Sequence, residues 1–211
     1  MPGIPVYAGA DMTAPVVGFG FGAPTAFPVV PPQSLHAFLY DVYYRGFVVR
    51  DPGADAMAFD PLNPGAYQER VSYLSSLTWA GNPDLSAFQK RGGKLLLLHG
   101  TSDSLIPIGW TTEYYQSVVA KMGATVTDGF MRYWQIPGLG HASGPFLADW
   151  DSLAALDNWV ENGKAVDGGV VADLNPENAH RTRPLCSYPS WPKYNGSGDV
   201  NSATSFTCAK S

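Results

Sequence analysis

The run Lys94-Leu95-Leu96-Leu97-Leu98 constrains this chain most, because it shows no polar alternation. A strand that reads this way is covered on both faces, which is the situation of a strand inside a parallel sheet flanked by helices. The run opens directly into His99-Gly100-Thr101-Ser102-Asp103. A second strand candidate, Phe130 to Ile136, leaves its end through Pro137-Gly138-Leu139-Gly140 and reaches His141. Between the two, Trp110 to Met122 carries Tyr114, Val118 and Met122 on one helical stripe, and Gly123 stops it. After the second, Asp151 to Asn162 offers Leu153, Leu156, Trp159 and Val160 as an apolar face with Gly163 as its stop. The order is strand, loop with an acid, helix, strand, loop with a histidine, helix. That pattern predicts an α/β fold with a parallel sheet, and reactive groups of such sheets collect at the carboxyl ends of the strands.

Asp103 and His141 both fall at such ends. An aspartate that accepts the proton-bearing nitrogen of an imidazole fixes its tautomer and stabilises the imidazolium that forms during acyl transfer. An imidazole exchanges protons near neutral pH and serves as general base, then general acid. Asp103 followed by His141 is thus read as the acid-then-histidine part of a catalytic triad. The bland alternatives are a helix-capping aspartate and a surface histidine, and the shared strand-end setting argues against both. No Gly-x-Ser-x-Gly elbow, the sharp turn that presents a nucleophilic serine, occurs in the sequence. Ser102 and Ser143 lie beside the acid and the histidine without that setting. His99 is expected to bind loop carbonyls or to form a pocket wall. His36 and His180 have no compact ligand pattern around them, so no zinc site is predicted.

The rest of the chain is less regular. Residues Met1 to Gln33 read as loop: Gly18, Gly20 and Gly22 alternate with Val and Phe, and no strand or helix supports a dinucleotide fingerprint there. Leu35 to Val49 is dense in aromatic residues and reads as a buried helix followed by a short strand, or as a cover over a cleft. Ala66 to Leu77 reads as a short helix. Another starts at Asn82 as cap with Pro83 in the first helical position and ends near Gly92-Gly93. The 23 glycines and 18 prolines make up about a fifth of the 211 residues and concentrate before Tyr40 and after Gly163. Both ends are therefore expected to be mostly loops.

Composition excludes some partners. With 13 Lys and Arg against 18 Asp and Glu, the formal charge is -5 and there is no basic run, so nucleic acid is not an expected partner. No stretch approaches a membrane span, and Met1-Pro-Gly-Ile-Pro has neither a basic leader nor an apolar core. Cys186 and Cys208 lie in a Pro/Gly/Ser-rich tail. Either a disulfide or two unpaired thiols fits, and the even count and distance from any histidine favour a bridge over a metal site. Asn195-Gly196-Ser197 has the form of a glycosylation acceptor.

At these residues the chain resembles the tannase and feruloyl esterase family. The stretch from Asn82 to Pro107, Tyr114-Tyr115, the string RYWQIPGLGH from Arg132 to His141, and Asp157 to Ala165 carry the likeness. In the tail, Arg183 to Pro189, Tyr194 to Asp199 and Phe206-Thr207-Cys208 carry it further. Residues before Asn82 match loosely and resemble the return from the family's lid. The resemblance implies an α/β-hydrolase-like parallel sheet, partial or rearranged, with a lid remnant in residues 1–81 and the carboxyl-terminal part of a hydrolase domain in residues 82–211. It implies Asp103 and His141 as catalytic acid and base, and a Cys186–Cys208 disulfide. The family places a cysteine directly after the histidine, whereas this chain has Ala142, and the elbow-bearing half is expected to be absent. The family's lid commonly holds calcium; no equivalent loop is read between Gly53 and Asn82, so neither metal nor cofactor is expected.

The function these readings imply is hydrolysis of aromatic carboxylic esters (feruloyl, galloyl or terephthalate-type) by a serine mechanism, as part of a larger or split enzyme. The alternative is an inactive module with a binding or assembly role. The expected partners are an aromatic ester and a second copy or companion chain completing the sheet, with no nucleic acid and no membrane. A disulfide would place the protein in a secreted or otherwise oxidising compartment, although this chain shows no signal peptide.

Overall fold

The computed structural model describes residues 35–178 and 180–210. The loop reading of Met1 to Gln33, with its alternating glycines, lies outside the described residues. The chain divides into two units, the first ending at Asn82 and including Ser104–Pro107, the second comprising Pro83–Asp103 and Ile108–Ser211.

In the first unit, helix α1 (Leu35–Tyr43) continues into a π-helical stretch, Tyr44–Val49, and ends at Arg50 in the left-handed conformation. The short strand expected before Val49 is therefore helical. The register is held by side chains spaced for a helix: Arg45 Nε donates to buried Asp41 at 2.7 Å, and Tyr43 stacks on Phe47. The Gln68–Thr78 helix, α2, packs Val71 and Leu74 against Tyr44, Val48 and Ala56 to form this unit's core.

The second unit is built around two parallel strands, β1 (Leu95–Gly100) and β2 (Met131–Ile136), paired in register from Leu95 with Met131 to Gly100 with Ile136. The unbroken leucine run has its physical cause here. Leu96 and Leu98 pack with Trp134, Ile136, Phe146 and Ala155, while Leu95 and Leu97 pack on the other cluster with Val118, Phe130 and Met131. Val118 belongs to α4 (Ile108–Met122) and Ala155 to α6 (Ser152–Asn162), so both faces of the sheet are covered. The α/β class with a parallel core sheet is what the structure has.

Local signals explain several boundaries. The Asp151 side chain accepts the Ala154 amide at the start of α6, and Gly163 closes it at φ 66. The helix expected at Asn82 instead begins at Ser86 (α3, Ser86–Lys90), because the Asp84 carboxylate takes the Ser86 amide and leaves Pro83 outside. Gly123 at φ 86 does end α4, but a five-residue helix, α5 (Ala124–Asp128), follows at once.

The carboxyl-terminal residues combine loops and turns with short strands. Strands β3 (Ala148–Asp149), β4 (Val170–Asp173) and β5 (Thr182–Pro184) form an antiparallel sheet, and β6 (Ser190–Tyr194) pairs with β7 (Phe206–Lys210) as a second. Two prolines, Pro184 and Pro192, sit in short strands. Ser187 bridges to Trp134, and the Tyr188 amide donates to the Tyr133 carbonyl, tying this region to β2. Cys186 and Cys208 form a disulfide.

Candidate active site

The loops after β1 and β2 are laced together by their backbones. The Thr101 amide donates to Ile136 O at 3.0 Å and the Ser102 amide to Leu139 O at 2.9 Å, while the Gly140 amide reaches Ser143 O at 2.6 Å. Glycines make the approach feasible: a β-carbon on Gly100 would stand 2.0 Å from Leu139 O, and one on Gly144 would stand 2.6 Å from Gly138 O. The histidine loop also turns through Ala142 at φ 53, a conformation that costs an L-residue about 1–2 kcal/mol.

This lacing brings His141 Nδ1 to 3.1 Å from Asp103 Oδ2. The Asp103 side chain is 7% exposed and that of His141 is 51% exposed. A nearly buried carboxylate beside a half-open imidazole is an acid–base pair with one ring nitrogen committed and the other turned to the outside. Among the described residues, His141 bonds through Nδ1 to Asp103, and neither Ser102 nor Ser143 is bonded to its ring. Both serines are exposed, and their backbones serve the loop lacing.

His99, read as binding loop carbonyls or forming a pocket wall, meets side chains at the end of β1. Its Nε2 lies 3.4 Å from the same Asp103 Oδ2, and its Nδ1 lies 2.6 Å from Thr111 Oγ1 on the first turn of α4. The end of β1 delivers His99 against α4. The neighbouring Thr112 hydroxyl sits 2.9 Å from Tyr133 Oη and receives Gln135 Nε2 at 2.8 Å, which pins that helical turn to β2. Thr111 and the glycine approach are parts of the site that sequence reading missed; no local spacing relates Thr111 to His99. His36 belongs to the first unit, with Nε2 2.9 Å from Leu105 O, and His180 is exposed. Among the described residues no group of three His, Cys, Asp or Glu side chains is placed to hold a metal ion.

A parallel sheet covered on both faces, with an acid and a histidine at adjacent strand ends, defines an α/β fold. The tannase and feruloyl esterase family model matches residues 11–209, and the chain belongs to that family. An uncharacterised esterase of Agrobacterium fabrum is 44% identical over 184 residues, covering 86% of this chain and 33% of that protein. Mono(2-hydroxyethyl) terephthalate hydrolase of Piscinibacter sakaiensis is 42% identical over 156 residues, covering 71% of this chain and 25% of that protein. The crystal structure of feruloyl esterase B from Aspergillus oryzae superposes with a TM-score of 0.67 at 26% identity, over 95% of this chain and 44% of that one. The chain thus spans a quarter to a third of the length of these two curated relatives.

The extent of the match corrects the sequence reading. A likeness limited to residues 82–208, as a carboxyl-terminal half without the nucleophile-bearing half, gives way to a family match over nearly the whole chain. The loose appearance before Asn82 has a physical reason. Within residues 35–81 the core positions Tyr44, Val48, Val71 and Leu74 are scattered along the chain, whereas residues after Asn82 carry contiguous motif strings. Apolar packing positions accept exchange among similar side chains and leave little readable text.

Proposed function

We propose that this chain carries the base and the acid of a serine-type carboxylic ester hydrolase acting on aromatic esters of the feruloyl, galloyl or terephthalate kind. The observation that carries the reading is the 3.1 Å contact of His141 Nδ1 with buried Asp103, which leaves Nε2 on a half-exposed ring. With the proton on Nδ1 donated to Asp103, the lone pair sits on Nε2. That nitrogen takes the proton of a serine hydroxyl as its oxygen attacks the ester carbonyl carbon, then returns the proton to the departing alcohol oxygen, leaving an acyl-serine. Water repeats the sequence, and the carboxylic acid leaves. Asp103 stabilises the imidazolium in both halves without taking its proton.

The relatives' names support the substrate class: one is a probable feruloyl esterase of Arthroderma benhamiae at 35% identity, another the terephthalate hydrolase. The disulfide supports a secreted or otherwise oxidising location. Residues 1–81 are read as the family's lid-side segment and residues 82–211 as hydrolase-domain residues.

The test is hydrolysis of methyl ferulate and p-nitrophenyl acetate by the purified protein, with fluorophosphonate labelling. Turnover that falls by about 100-fold or more in His141→Ala, together with a labelled serine, supports the reading. Equal rates in His141→Ala without labelling overturn it.

A further inference from the structure

We infer that Asn175 is a positioning residue for His141, holding the returning limb of the histidine loop in place from the end of β4. The inference rests on the ester-hydrolase reading of the Asp103–His141 pair for its catalytic consequence, although not for its geometry.

A half-exposed histidine on a loop that also carries Gly138, Gly140 and Gly144 takes its place from the loop backbone more than from packing of its ring. That backbone is folded tightly on itself. The Phe146 amide donates to Gly138 O at 3.2 Å, and a β-carbon on Gly144 would stand 2.6 Å from Gly138 O and 2.9 Å from the Gly140 nitrogen. The limb that returns through Gly144 therefore cannot shift toward its neighbour without displacing Gly138 and Gly140, the latter directly before His141.

The same limb is gripped by the residues that follow and face β4. Asn175 Nδ2 donates to Gly144 O at 3.1 Å, the Arg181 guanidinium donates to Pro145 O, and the Leu174 amide donates to Leu147 O at 2.9 Å. Asp173 orders this set. Its Oδ1 accepts the Leu147 amide at 2.8 Å and the Asn175 amide at 3.1 Å, and its Oδ2 accepts Arg181 Nε at 2.9 Å. The carboxylate is fully buried on β4, which pairs with β3 on one side and β5 on the other.

Within this set Asn175 acts nearest the histidine, on a carbonyl three residues beyond it. A carbonyl oxygen only accepts, so the amide nitrogen of Asn175 is the atom that faces it. Asp173 and Arg181 also hold the sheet together, whereas Asn175 is half-buried and can be changed by itself. A functional side chain works only when hydrogen bonds behind it fix its place to about 0.5 Å. Displacing the limb by about 1 Å would carry His141 Nδ1 from 3.1 Å to beyond hydrogen-bonding reach of Asp103 Oδ2. Asn175 thus reaches the imidazole through Gly144 and the two glycines packed against it.

Three substitutions separate this role from simple packing. Asn175→Asp keeps the size of the side chain but sets a carboxylate oxygen against Gly144 O. Asn175→Ala removes the donor without adding a charge, and Asn175→Gln keeps the NH₂ on an arm one carbon longer. Nitrogen-15 NMR of the imidazoles in the purified protein needs no substrate. It should show His141 protonated on Nδ1, with that Nδ1–H signal broadened or lost in Asn175→Asp and Asn175→Ala and retained in Asn175→Gln, at a temperature where all the proteins are folded. On methyl ferulate, Asn175→Asp and Asn175→Ala should lower kcat about tenfold or more with KM little changed, and Asn175→Gln should recover most of it. A His141 signal and a kcat left at wild-type values by Asn175→Asp and Asn175→Ala, or equal effects of Ala and Gln, would overturn the inference. A His141 signal that responds as expected in a protein that hydrolyses no ester would sink the ester reading and leave the positioning role in place.

Discussion

Gly100 and Leu139 meet so closely that a β-carbon on Gly100 would stand 2.0 Å from the Leu139 carbonyl oxygen. That approach lets the loop bearing Asp103 and the loop bearing His141 share backbone hydrogen bonds, the Ser102 amide donating to the same Leu139 oxygen. Gly100→Ala should push the loops apart. The expected result is a loss of about 1–3 kcal/mol in chemical denaturation, with the His141–Asp103 hydrogen bond lost from the imidazole NMR spectrum.

Asp103→Asn keeps the shape of the acid but exchanges its charge for an amide. An Asn that turns its NH₂ toward Nδ1 stabilises the wrong tautomer and protonates the Nε2 that must act as base. Ester turnover should fall by about 10⁴-fold with little change in melting temperature. A drop of less than tenfold would show that the carboxylate does not orient His141.

Strong acid should loosen the β3–β4–β5 sheet. Burial pushes the Asp173 carboxyl up, but the Asn175 and Leu147 amides and the Arg181 side chain outweigh burial and hold it below its ordinary value of 3.8. Because the folded value is the lower one, the stabilisation is fully present above the ordinary carboxylate range and is lost as pH falls through the folded value. Asp173→Ala strands Arg181 and should cost about 3–5 kcal/mol at neutral pH, with the acid dependence below pH 4 correspondingly flattened. Denaturant midpoints measured across pH 2–7 in both proteins check this.

Loss of the Cys186–Cys208 bond frees a loop with a sequence separation of 22. By loop-closure entropy the double substitution to serine should cost about 3 kcal/mol. Limited proteolysis under reducing conditions should cut between β5 and β7 before it reaches β1 or β2. Asp103 and His141 lie outside the closed loop, so their contact should persist in the serine variant at temperatures where it remains folded.

Much of the second unit was legible because its signals are local. An unalternated leucine run has one good home, between two covering layers, and both strands, α4 and α6 lie close to where periodicity and caps put them. The failures have physical causes too. Arg45 pairing with Asp41 carried a helix through Tyr44–Val49 where aromatic density suggested a strand. Asp84 took the Ser86 amide and displaced a helix start from Asn82. The tail's glycines and prolines suggested loop, and loops and turns do fill much of it, with short strands paired between them.

By itself, the sequence determined which residues stand at the two strand ends, because hydrophobic periodicity and turn chemistry depend on neighbours along the chain. Only the tertiary structure decided that Asp103 and His141 lie 3.1 Å apart, and that His99 and Thr111 join them. Distances among side chains far apart in sequence are set by how loops close over glycines and by how a helix packs on a strand. Those outcomes belong to the packed chain as a whole, and no local run of residues encodes them.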